Sequence, residues 1–141
     1  MAYVNTLDYV TIASTGDATD FGDLTAATVD FATANSIVRG LIFSGYEKAQ
    51  AIDYITIASV GNAADFGDHL LGGANARFGW CVHNKLYAYY SRVSLGSQEK
   101  HTIATAANAT AFTFSNLLFS ASQGQYAFQH ATIKGWIAAS G

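Results

Sequence analysis

Asp8-Tyr9-Val10-Thr11-Ile12-Ala13-Ser14-Thr15-Gly16-Asp17-Ala18-Thr19-Asp20-Phe21-Gly22-Asp23 returns 45 residues later as Asp53-Tyr54-Ile55-Thr56-Ile57-Ala58-Ser59-Val60-Gly61-Asn62-Ala63-Ala64-Asp65-Phe66-Gly67-Asp68, with 12 of 16 positions identical. A fixed period of this length marks a repeat architecture, in which one supersecondary unit cannot bury its apolar face alone. A worn third copy begins at Lys100 if one residue is inserted. Read from there, Thr102, Ile103, Ala104, Asn108, Ala109 and Phe112 survive, and the carboxylates and glycines do not. The positions that define the repeat are Tyr9, Ile12, Gly16 and Phe21; Tyr54, Ile57, Gly61 and Phe66; and Ile103, Asn108 and Phe112.

Around the motif the pattern predicts strands. Tyr9, Thr11 and Ala13 alternate with Val10, Ile12 and Ser14, so residues 7–14 read as one strand. Gly16-Asp17 then turns the chain, with Asn62 and Asn108 in the same place; Asp and Asn bond their own backbone and tolerate turn conformations. Residues 24–36 alternate weakly. Arg39–Gly45 reads as a buried strand ended by glycine, before a loop at 46–51. Strands follow near Phe78–His83 and Leu86–Val93, with a glycine-rich loop at Leu71–Ala74 before them and a turn at Ser94–Glu99 after. The third unit offers strands near His101–Thr105, Ala111–Phe119 and Tyr126–Ile137. Proline is absent, which suits continuous sheet. The expectation is a single domain over residues 1–141, made of three units at about 1–51, 52–98 and 99–141.

Composition narrows the function. Half of the 141 residues are apolar, 12% are charged and the net charge is −3. The seven Lys and Arg are scattered, so no basic patch exists to displace counterions from nucleic acid, and no basic amphipathic segment to lie on a membrane. No apolar run reaches 18 residues. The N-terminal residues lack the basic-then-apolar pattern of a signal peptide. Aromatics at 13% argue against disorder. One cysteine, Cys81, cannot form an intrachain disulfide.

The motif, preceded by Arg39-Gly40-Leu41-Ile42-Phe43-Ser44-Gly45, resembles a repeat of tail- and fibre-associated structural proteins of bacteriophages, marine and cyanobacterial phages above all. The match is specific over roughly residues 7–68. Longer arrays of that family look kelch-like: a glycine-ended strand, a Tyr-containing strand, a turn and a bulky aromatic, the unit of a propeller blade. The resemblance implies an all-β fold of antiparallel sheets from three repeats of about 45 residues, in kelch- or propeller-like blades completed by oligomerisation; two chains would give six blades. A compact β-sandwich or barrel is the alternative. It also implies a virion structural component acting through assembly, with partners in further copies of itself and other virion proteins, assembled in the host cytoplasm. The alternative function is a receptor- or glycan-binding module at a fibre tip.

No residues assemble into a catalytic site, and none is expected to hold a cofactor or metal. Asp17, Asp20 and Asp23 crowd one turn, with Asp65 and Asp68 in the second copy. Such oxygens could take Ca²⁺, but their loss from the third copy favours turn and cap roles. His69, His83, His101 and His130 show no zinc spacing; Cys81 and His83, two apart on one strand, form the only suggestive pair. No Gly-x-Ser-x-Gly elbow or phosphate loop occurs. Trp80, Tyr87, Tyr89, Tyr90 and Trp136 are candidates for contact with a partner or a host-surface glycan, weighed against packing in the core. Tyr89 and Tyr90 are adjacent, so a strand sends them to opposite faces.

Overall fold

The structure is a computed structural model that describes residues 3–43, 45, 50–70, 79–92, 98–112, 126–129 and 136–139. Every regular element among them is a strand: β1 (Val4–Tyr9), β2 (Thr19–Thr28), β3 (Ala32–Asn35), β4 (Arg39–Phe43), β5 (Ala51–Thr56), β6 (Ala64–Asp68), β7 (Gly79–His83), β8 (Tyr87–Arg92), β9 (Gln98–Thr102), β10 (Thr110–Phe112), β11 (Tyr126–Gln129) and β12 (Trp136–Ala139). They form four separate antiparallel sheets. Two are hairpins, β1–β2 and β11–β12, and two are four-stranded meanders, β3-β4-β5-β6 and β7-β8-β9-β10.

The repeated motif is a hairpin. Its legs are β1 and β2, then β5 and β6, then β9 and β10. In each copy the leg ends early in a tight turn: Ser14 N–H donates to Thr11 O, Ser59 to Thr56, and Thr105 to Thr102. The strand expected over 7–14 therefore stops at Tyr9, and the reversal begins well before Gly16-Asp17. The first two copies share a β-bulge. Leu7 pairs with Gly22 and Asp8 with Asp20; Ile52 pairs with Gly67 and Asp53 with Asp65. Phe21 and Phe66 are the extra residues, and the bulge re-aims both rings into the interior, where each is buried. The third copy pairs regularly, Ala111 with Glu99 and Phe112 with Gln98, and its Phe112 is only half-buried.

The sheets run out of phase with the sequence period. Each four-stranded sheet takes two strands from before the motif and two from the motif itself. The inner turns match too. Ser36 Oγ accepts from Val38 and Arg39 N–H, and Asn84 Oδ1 accepts from Leu86 and Tyr87 N–H. The segment expected as one strand over Tyr126–Ile137 is the hairpin β11–β12. The expected loop at Leu71–Ala74 lies outside the described residues.

The all-β expectation holds, but the closed forms do not. None of the four sheets closes into a barrel or a propeller. Among the described residues, β1–β2 shares no ladder with β11–β12. The side of the first hairpin where a neighbouring sheet would sit leaves Asp8, Val10, Ile12 and Asp17 exposed. What the repeat provides is successive stacking, each unit resting on the next, without a ring. The core lies between the two meanders. Leu41, Phe43, Ile52 and Phe66 come from one; Ala88 and Tyr90 come from the other, with Ile103 from the turn after β9. The Phe43 and Tyr90 rings stack at 5.1 Å across the seam.

Candidate functional site

Three places on this frame gather chemistry: the seams between units, a buried cluster inside the core, and an aromatic shelf on the outer sheet.

The seams explain which motif residues recur. Asp23 N–H donates to Asn62 Oδ1 at 3.0 Å, and Asp68 N–H donates to Asn108 Oδ1 at the same distance. In return Ala63 N–H donates to Asp23 O and Ala109 N–H to Asp68 O, both at 2.8 Å. Each unit's Phe-Gly-Asp is thus held by the next unit's Asn-Ala turn. The glycine is required by close approach. A Cβ on Gly22 would lie 2.6 Å from Gly61 C and O, and one on Gly67 2.6 Å from Ala107 C and O. Both glycines also have left-handed φ, 145° and 136°. Asp20 and Asp65 accept from Gly22 and Gly67 N–H, so these acids are turn acceptors.

A second contact reaches backward. Asp53, 4% exposed, accepts from Thr25 N–H at 2.9 Å and Thr25 Oγ1 at 2.7 Å. Glu99 holds the place of Asp53 in the third copy and reaches His69, beside β6. Reading that copy from Lys100 onward misses this acid. The available signal was Glu99 immediately before Lys100, one carbon longer than Asp and 46 residues beyond Asp53.

The buried cluster is His69, Glu99 and His101. His69 Nδ1 lies 2.8 Å from Glu99 Oε2, and His101 Nε2 lies 3.5 Å from the same oxygen. Ligand atoms of all three fall within 4.8 Å of one another, and all three residues are buried. Glu99 and His101 alternate on one face of β9, while His69 comes from the other meander, so the cluster bridges the core seam. Phe43 packs edge-on to His101 at 5.1 Å, and Tyr90 covers His69 at 4.5 Å. Burial by itself raises the Glu99 carboxyl pKa. The neighbouring His101 and His69, by contact and by charge, outweigh this and bring it down to about 2. The suggested Cys81–His83 pair is not part of this cluster. Burial pushes the Cys81 thiol far up, away from thiolate reactivity.

The shelf lies on the opposite face of the β7–β10 sheet. Tyr87 and Tyr89 sit side by side with rings 6.4 Å apart, both half-buried. Lys100 Nζ stands 3.8 Å over the Tyr87 ring, and Phe112 packs 4.8 Å from Tyr89. Beside them an open groove of about 260 Å³ is lined by Lys100, Thr102, Thr105, Asn108 and Thr110. Of the five aromatic candidates, Tyr87 and Tyr89 come together here. Tyr90 faces the core. Trp80 and Trp136 lie on β7 and β12, with their side chains outside the described residues.

The repeat-defining residues divide in the same way. Tyr9 packs edge-on to Phe21 at 6.0 Å and Tyr54 to Phe66 at 6.1 Å. In the third copy Lys100 replaces the tyrosine, and Phe112 turns to Tyr89. Ile12 is 99% exposed, Ile57 45% and Ile103 0%: the same residue goes from the surface to the core along the stack. Gly16 and Gly61 have room for a Cβ.

No protein-family model, curated protein or solved structure matches this chain.

Proposed function

We propose that the chain is a non-catalytic binding module, a receptor- or glycan-binding unit of the kind a bacteriophage carries at a fibre tip. The observation that supports this reading is the Tyr87–Tyr89 shelf beside a polar groove. Tyrosine rings offer flat apolar faces to the C–H side of a sugar. The Lys100 ammonium, the Thr102 and Thr105 hydroxyls and the Asn108 side-chain N–H₂ offer donors and acceptors for its hydroxyls, while Asn108 Oδ1 stays with Asp68 N–H and the Thr110 hydroxyl with Lys100 O. The groove is slightly smaller than the roughly 300–1,000 Å³ of ordinary small-molecule pockets and is open, which suits a single ring on a longer chain. Glycan-array and host-cell binding test the reading. Binding that falls about tenfold in Tyr87→Ala and Tyr89→Ala, the loss of about 1.4 kcal/mol, supports it. Silence on every glycan and host surface, or unchanged binding by both variants, rejects it.

A second reading, a virion structural component acting through assembly, is favoured by the first unit. Asp8 occupies the place of the buried Asp53, yet it is exposed. Val10 and Ile12 are exposed beside it. This face matches in pattern two faces that are filled within the chain, and the strand that fits it carries Phe-Gly-Asp. The chain's own third unit ends Phe112-Thr113, without that glycine. The natural partner on this reading is therefore another virion protein bearing the motif, more than a second copy stacked head to tail. Light scattering and pull-down with virion proteins test it. A lone monomer with no affinity for them rejects it.

A further inference from the structure

We propose that His69, Glu99 and His101 form a structural site for a divalent transition metal of the zinc class, clamping the two four-stranded sheets together. Two imidazoles and one carboxylate are a ligand set used by zinc and its first-row neighbours. Ligands around a tetrahedral ion with bonds of ~2.1 Å sit roughly 3.4 Å apart. Two of the three pairs here stand at 2.8 and 3.5 Å, and all three ligand atoms lie within 4.8 Å of one another, so shifts of about an ångström bring them onto an ion. Metal-ligating side chains are commonly fixed by the elements that carry them. Here Glu99 and His101 are held two apart on β9, and His69 is pinned by its own N–H, which donates to Gln50 O at 2.8 Å.

The second observation is a deficit of partners. Glu99 Oε1 and both ring nitrogens of His101 are buried without a hydrogen bond. A buried polar atom left unmet loses its hydration with nothing in return, so native cores rarely keep one. The edge-on Phe43 ring meets at most one His101 nitrogen, and weakly. An ion between the three side chains would satisfy the carboxylate and one nitrogen of each histidine at once. The burial of all three ligands and the aromatic wall of Phe43 and Tyr90 point to a structural role, with the ion replacing the proton between His69 Nδ1 and Glu99 Oε2 and the unmet Glu99 Oε1 serving as fourth donor. The site joins the second unit to the third at the same seam position where Asp53 and Thr25 join the first to the second.

The test uses the full chain, stripped with a chelator and then titrated with Zn²⁺ or Co²⁺. Thermal unfolding and the visible absorption of Co²⁺ are the readouts. The expected result is one ion per chain, a Tm that rises with metal concentration as ligand linkage requires, and Co²⁺ bands of four-coordinate intensity. His101→Gln and Glu99→Gln should weaken binding by at least ~10–100-fold, the loss seen even for outer-shell partners, whereas His83→Gln leaves it unchanged. If stripped wild-type protein shows neither a Tm shift nor Co²⁺ bands, the proposal fails and the cluster is a buried, water-satisfied network. If folded His101→Gln keeps wild-type affinity, the ion sits elsewhere and the proposal fails as well.

Discussion

Replacing Gly67 by alanine adds one carbon at the seam between the second and third units. That Cβ would sit 2.6 Å from Ala107 C and O and 2.9 Å from Asn108 N, all backbone atoms that cannot swing aside. The φ of 136° is itself a conformation that alanine reaches only at a cost of about 1–3 kcal/mol. Relieving the clash means moving the turn away by several tenths of an ångström. That stretches two bonds, Asp68 N–H to Asn108 Oδ1 and Ala109 N–H to Asp68 O, each worth ~0.5–1.5 kcal/mol. The sum is about 4 kcal/mol. With a urea slope of ~2 kcal/mol/M, the midpoint should fall by about 2 M at an unchanged slope. Gly16→Ala is the internal control. Gly16 stands in the turn of the first copy, has no atom within 4 Å of a built Cβ, and should unfold as wild type does. A Gly67→Ala protein within ~0.5 kcal/mol of wild type, the range of an ordinary surface change, would refute the seam as described.

Asp53→Ala should cost about 1–2 kcal/mol by urea unfolding, because it removes the acceptor of two part-buried hydrogen bonds from Thr25; Asp8→Ala, the same motif position on the exposed first hairpin, should change stability by less than ~0.5 kcal/mol. The depressed Glu99 pKa sets an acid limb for the metal-free chain. Its contribution is fully present above the ordinary value of 4.5 and is lost as pH falls through about 2, so stability measured in chelator should decline over that window, and Glu99→Gln should flatten the decline.

The repeat made much of this legible. Identity between the first two copies placed Phe21 and Phe66 as plugs, and the Asn at 62 and 108 as a turn that outlives its acids. The strand end was not legible. Val10-Thr11-Ile12 and Ile55-Thr56-Ile57 are β-branched runs that suit a pleated sheet, but β-propensity reports fit to a half-buried surface and yields to packing. Here the turn carries the isoleucine forward, into the core in the third copy. The roles of the glycines were also hidden. Gly16 and Gly61 looked like the turn-makers, whereas Gly22 and Gly67 are the ones fixed by a neighbouring unit's backbone, a contact about 40 residues distant in sequence that no local pattern encodes. The His69–Glu99–His101 cluster was hidden for the same reason. Its members come from two sheets, and no metal-type spacing links residue 69 to 99 and 101. The family likeness implies blades that find partners around a ring, whereas the sheets stay separate and Asp8, Val10 and Ile12 lie exposed on the first hairpin.

Amide hydrogen exchange, resolved residue by residue, tests the stacking most directly. Asp23, Ala63, Asp68 and Ala109 donate across the seams. Ala18 is the first-copy counterpart of Ala63 and Ala109, on the exposed turn of the first hairpin. The account predicts slow exchange at the four seam amides and fast exchange at Ala18. Exchange at Ala63 and Ala109 as fast as at Ala18 would contradict it.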